Sequence, residues 1–217
     1  MRKFIQILLL VVFMAVSCPS AMAYWEEGKA QEGQTVAHVK TLALAAPLYT
    51  EKKGTPTLEE FVDVLNTRGA KVSPKKYKVV PYDVIAKDVL QRTGKNLYTL
   101  ARIPSTRVFK NNVAQYADAY LVATVTMSRR TVLFFEVYSA VTHELLYTYQ
   151  IILAPDELDN VRTYSDMVSL FYDEFAVAIE TQKKEQEDAE KAARKEREKA
   201  ERKAQREREK AAQNAGK

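Results

Sequence analysis

Cysteine is almost missing from this 217-residue chain: Cys18 stands alone, so no disulfide can form within the chain and no multi-cysteine zinc site can be built. Glycine is scarce, at six residues, which leaves little material for the backbone-lined cradles that hold phosphates. Only two histidines occur, His38 and His143, far apart in the sequence. The chain has no HExxH, no GxSxG and no Gly-rich phosphate loop, so the common signatures of zinc hydrolases, α/β-hydrolases and nucleotide-binding enzymes are missing together. After Ile179 there is no Leu, Ile or Val, which removes the apolar seam that a strong coiled coil needs.

The amino terminus carries an address. Arg2 and Lys3 precede an apolar run from Phe4 to Val16, and Ala21-Met22-Ala23 forms a small-x-small cleavage signature. The run is shorter than the roughly 20 residues that a permanent membrane span requires. Residues 1–23 are therefore predicted to be a signal peptide cleaved between Ala23 and Tyr24, leaving an exported chain with no transmembrane helix. Ala15-Val16-Ser17-Cys18 offers a second reading, because lipoprotein signals put the acylated cysteine at the end of such a run. One acyl chain alone gives marginal membrane attachment.

The net charge of +5 is unevenly spread. Arg2, Lys3 and the segment 183–217, where thirteen Lys/Arg face nine Asp/Glu, carry +6, so the region between them is at −1. A near-neutral central domain gives no electrostatic footprint for nucleic acid.

Residues 24–35 are polar and contain two glycines, and read as a flexible leader. Residues 36–180 read as one globular domain, long enough for a core without disulfides. Val36 to Ala46 alternates loosely and ends at Pro47, as a first strand does. Thr57-Leu58-Glu59-Glu60 is a capping box opening a helix through Phe61, Val62 and Leu65 to a stop at Gly69. Lys75 to Val80 is a short strand. Pro81 then opens a helix with Val84, Ile85, Val89 and Leu90 on one side, and Pro104 another with Val108, Phe109, Val113 and Tyr116. From Ala119 to Ser128 the odd positions share one strand face and the even positions the other, and 132–138 and 145–153 complete an antiparallel meander. Ser165 to Ile179 carries a wide apolar stripe, with Met167, Val168, Phe171, Phe175, Ala178 and Ile179, and runs on without Gly or Pro. The predicted fold class is α/β in the α+β sense: a mixed sheet whose carboxy-terminal three-strand antiparallel meander packs against helices, followed by a long charged helix.

Residues 181–217 form that charged tail. AEKAARKEREK at 189–199 is followed by AERKAQREREK at 200–210, an 11-residue repeat with about 3.67 residues per turn. Glu187 with Lys191, Glu190 with Arg194 and Glu198 with Arg202 are acid-before-base pairs four apart. A solvated single helix of about 45–50 Å is expected, serving as a spacer or as a loose surface for anionic wall polymers and lipid head groups.

Catalytic candidates are thin. Asp83, Asp88, Asp118, Glu136, Asp156, Glu157 and Asp159 are scattered. Glu136 stands out because it interrupts VLFFEVY, and is expected to face solvent or pair with Arg129 or Arg130. No catalytic residue, metal ligand or cofactor site is assigned. A carboxylate-dependent hydrolase is the less favoured alternative, and it needs Glu136 or Asp83 to meet another acid or a histidine in a deep cleft.

The element order, with Ala117-Asp118-Ala119-Tyr120-Leu121-Val122 opening a strand and VLFFEVYSAVTHELL following, resembles the TolB N-terminal, CsgG and LpoB-like periplasmic domains over about residues 36–179. In their hairpin turn, glycine usually stands where this chain has His143. The resemblance implies an envelope-associated, non-catalytic adaptor that works by protein–protein contact and needs no cofactor. The tail is similar in composition to the rod of TolA.

Overall fold

A computed structural model describes residues 25–127, 129–154 and 159–215. Six strands form one mixed sheet: β1 Trp25–Ala30, β2 Thr41–Leu44, β3 Lys78–Val80, β4 Ala119–Met127, β5 Thr131–Ser139 and β6 Leu145–Ile152, in the order β1-β6-β5-β4-β2-β3. The helices are α1 Leu58–Gly69, α2 Tyr82–Thr93, α3 Arg102–Val113 and α4 Val161–Ala215. The α/β class expected from the sequence is the class found.

The expected meander forms, in the register Ala119↔Ser139 to Met127↔Thr131 and Val132↔Ile152 onward. Its odd-numbered residues Leu121, Ala123, Leu133, Phe135, Val137, Tyr149 and Ile151 are buried under α1 and α4. On α4, Tyr164, Met167, Val168, Phe171, Phe175 and Ile179 recur three or four residues apart and are buried. Phe171 stacks on Phe135 at 4.6 Å and on Phe175 at 5.8 Å. On the opposite face α2 and α3 cover Ala43, Val80 and Tyr120 through Ile85, Val89, Phe109 and Val113.

The capping box is present: Thr57 Oγ1 accepts from the Glu60 amide at 3.1 Å, and Glu60 Oε2 accepts from the Thr57 amide at 2.8 Å. These bonds satisfy two amides that a helix start otherwise leaves open. The α4 helix runs unbroken from the core into the tail, as its lack of Gly and Pro predicts.

Four expectations need correction. The stretch expected as a loose leader contains a strand, because β1 pairs antiparallel with β6 from Trp25↔Ile152 to Ala30↔Tyr147. Gly28 lets it in: a Cβ there would lie 2.9 Å from the Tyr149 ring, and Tyr149 donates to Glu26 at 2.7 Å. The globular unit thus begins near residue 25. The first central strand is shorter than Val36 to Ala46. Val36 donates its amide to Gln182 of α4 at 2.7 Å and Lys40 donates to Asp118, so side chains serve amides that a ladder would have used. On α2, Val84 and Leu90 are exposed while Ile85, Ala86 and Val89 are buried, which rotates the packed face. Finally, α3 starts at Arg102, two residues before Pro104; proline fits the first turn because no amide is needed there.

Candidate functional site

Most candidate groups turn out to be structural. The Asp118 carboxylate accepts from the Lys40 and Thr41 amides, both at 2.9 Å, and ties the start of β2 to β4. Asp83 pairs with Lys87 at 3.1 Å. Asp88 accepts from Arg92 at 2.6 Å and from the Tyr116 hydroxyl, which clamps α2 to the end of α3; these hydrogen bonds hold its carboxyl below the usual range. Asp159 accepts from Thr131 at 2.7 Å. His38 is exposed in the turn before β2 and His143 lies in the β5–β6 turn, so they do not meet, and among the described residues no group of His, Cys, Asp and Glu could hold a metal. His143 has φ 60°, the left-handed region where glycine is easiest, which gives a physical reason for the glycine usual at this turn in the resembled domains. Cys18, Ala23, Tyr24, Asp156 and Glu157 lie outside the described residues.

Glu136 is neither fully solvated nor paired with Arg129 or Arg130. Those arginines sit at the β4–β5 turn, and Glu136 is five residues along β5, about 17 Å at strand rise. It is half-buried beside Tyr138 in a cleft that no sequence motif announced.

The cleft follows from topology. β2 runs parallel to both β3 and β4. The chain leaves β2 through α1 on one face to reach β3, then returns through α2 and α3 on the other face to β4. Where connections diverge in this way, the ends of neighbouring parallel strands leave a crevice between them. The segment 45–50 after β2 continues alongside β4, with Ala45 donating to Leu121, Leu48 donating to Ala123, and Leu48 bridged to Thr124, and borders this crevice.

The cleft has two adjoining chambers that share part of their lining. The wide one, about 740 Å³, is walled by Leu44, Leu48, Leu58, Val62 and Leu97, with Tyr49, Tyr82 and Tyr98 at its sides. The narrow one, about 230 Å³, is walled by Phe109, Tyr120, Val122 and Tyr138 and edged by Arg102, Lys110 and Glu136. Tyr82, Arg102 and Ser105 border both. Tyr120 is 1% exposed, and its hydroxyl has no hydrogen-bond partner among the described residues. Burial, with Tyr138 adding to it, pushes this phenol up to about 12, so it stays neutral and able to donate. An unmatched buried hydroxyl costs about 1–3 kcal/mol. Burial also raises Tyr138, with the Glu136 carboxylate acting in the same sense.

The second feature is the free part of α4. The side chain of Gln182 accepts from Thr35 at 3.0 Å and from the Val36 amide, and Gln186 donates to Thr35 at 3.0 Å. Beyond this, residues 184–203 are exposed, and their ion pairs lie within the helix: Lys191 with Glu187 and Asp188, Arg194 with Glu198, Lys199 with Glu196. Of the pairs expected from the sequence, Glu187–Lys191 forms, whereas Arg194 turns to Glu198 instead of Glu190. No helix among the described residues is long and apolar enough to cross a membrane.

No family model and no curated protein matches the chain. Solved structures similar to it include a PelC dodecamer from Paraburkholderia phytofirmans, 9% identical with a TM-score of 0.38, the match covering 67% of this chain and 94% of that one. The LpoB C-terminal domain from Salmonella enterica is 14% identical with a TM-score of 0.41, covering 57% and 87%. The LpoB domain is one of the group that the sequence resembles. Likenesses this distant transfer no residue role and no partner.

Proposed function

We propose that the chain is an exported, non-catalytic interaction module of the cell envelope, acting by protein–protein contact and carrying a helical spacer. One observation carries the reading: α4 belongs to the core and to the stalk at once. Phe171 and Phe175 fix it on the sheet, and the same helix extends about 50 Å beyond Gln182. A stalk anchored by a packed core suits the task of holding a domain at a set distance from whatever meets its far end. The engagement of Asp83, Asp88 and Asp118 in ion pairs and backbone bonds favours this reading over a carboxylate hydrolase. Interspersed charge on the stalk suits loose, salt-screened contact with anionic wall polymers or head groups.

The test is photo-cross-linking in intact cells from exposed Val141 on the domain and Glu190 on the stalk, with the native tail and with 189–210 scrambled at constant composition and helicity. Discrete domain cross-links to an envelope protein that survive scrambling are expected; only background cross-links, or turnover of an envelope substrate by the purified chain, would refute the reading. The position of Cys18, two residues past the end of the apolar run, favours one variant of it, a lipid-anchored assembly component. Mass spectrometry of the mature amino terminus separates a chain starting at Tyr24 from one starting at acylated Cys18.

A further inference from the structure

We propose that the two-chambered cleft at the carboxy-terminal end of β2 binds an amphipathic anion, with an apolar body the size of a medium-length acyl chain in the wide chamber and its acidic head group in the narrow one. This goes beyond the adaptor reading and does not depend on it.

The wide chamber has the volume of a small-molecule site and walls that are mostly aliphatic or aromatic. Its one carboxylate, Asp83, is already answered by Lys87. The narrow chamber has the opposite character. Arg102, at the first turn of α3, and Lys110, two turns further on, both border it, and neither enters an ion pair with another described residue. Lys110 instead lies over the Tyr138 ring, 5.9 Å from its centre. With Glu136 counted, the edge of this chamber keeps one net positive charge in a recess walled by aromatic rings, where a field is screened less than in open water.

The Tyr120 hydroxyl is the independent sign of a ligand. It is a buried neutral donor with no acceptor among the described residues, and Tyr120 lines the same chamber as Arg102 and Lys110. An anionic head group seated there would pair with Arg102 and Lys110, and would accept from Tyr120 once the hydroxyl, closed off in this structure, opens to the chamber. Ser105 and Thr106 add hydroxyls on the same helix. An acyl anion reaches such a site either as the free monomer or as a lipid drawn from a bilayer, and the two sources give different results below.

The experiment uses the full chain at fixed ionic strength. Sodium dodecanoate below its micellar concentration is titrated calorimetrically, beside dodecanol and dodecyltrimethylammonium, and phosphatidylglycerol vesicles are tested for a one-to-one protein–lipid complex by native mass spectrometry. Saturable one-to-one binding of dodecanoate, with dodecanol at least about tenfold weaker and dodecyltrimethylammonium weaker still, is the expected result. Arg102→Glu with Lys110→Glu should weaken dodecanoate by about tenfold or more, and Glu136→Gln should strengthen it a few-fold. Tyr120→Phe should weaken dodecanoate while the unliganded chain melts no lower than the wild type, a pairing that a merely structural hydroxyl would not produce. A one-to-one complex only from vesicles supports the site with lipid as its source. Equal binding of the anion and the cation, unchanged affinity in the double variant, no binding at all, or vesicle adhesion without a one-to-one complex overturns the proposal; the wild-type titrations decide even if a variant fails to fold.

Discussion

Ending the chain after Gln186 should leave the domain as stable as before. The truncated protein keeps every buried residue of α4, the last being Ile179, and keeps the bonds that Gln182 and Gln186 make to Thr35 and Val36. In what it loses, residues 187–203 are exposed helix with ion pairs such as Lys191–Glu187 at 3.7 Å and Arg194–Glu198 at 3.0 Å, each adding roughly 0.2–0.5 kcal/mol to the helix alone. None of these reaches the sheet, so the domain's unfolding free energy should change by less than about 0.5 kcal/mol. By contrast, Phe171→Ala removes a fully buried ring stacked on Phe135 and should cost about 3–5 kcal/mol. Urea unfolding followed by near-ultraviolet circular dichroism measures both. The midpoint and slope of the truncated chain should match the full chain, since a solvated helix hides little surface to expose, while its far-ultraviolet helical signal falls. A loss above about 1 kcal/mol on truncation, or unfolding of the full chain that depends on its concentration, would refute the reasoning, because the stalk would then be packed against something.

Gly28→Ala should free β1 from β6 and cost about 1–3 kcal/mol, read as faster amide exchange at Thr148 and Gln150 and new proteolysis near residues 31–35. Thr57→Ala should cost about 1 kcal/mol in urea unfolding by opening the capping box; no change would mean that Glu60 holds the α1 start alone. Because Asp88 is held below its ordinary value of 3.8 by Tyr116 and Arg92, its contribution to stability is complete above that pH and fades as pH drops through the lowered value. Carboxyl chemical shifts followed by NMR should show Asp88 titrating below 3.8, and Tyr116→Phe should move it upward.

Elements fixed by local pattern were legible in the sequence. The alternation of 119–127, the Thr57–Glu60 box and the stripe ending at Ile179 each carry their own signal within a few residues. β1 was hidden because a polar edge strand with a glycine looks like a linker until its partner is known, and that partner lies more than a hundred residues away. The cleft was hidden for a related reason: its walls come from the loop after β2, from α1, from α2 and α3 and from β4, and only the order of the strands brings them together. Glu136 stood out in sequence as a charge in an apolar run, but its neighbours depend on which face of β5 it takes and on where α3 crosses that face. Pro104 misled by two residues, since proline is tolerated throughout a first helical turn.

The eleven-residue unit of the tail makes length a variable that can change in steps. Gaining or losing one copy moves the tip by about 16 Å, yet turns it by only about 20°, because eleven residues come close to three whole revolutions. Whatever meets the distal end would therefore see almost the same side of the helix after such a change. A lineage could adjust the ruler to a thicker or thinner compartment without redesigning the surface at its mark.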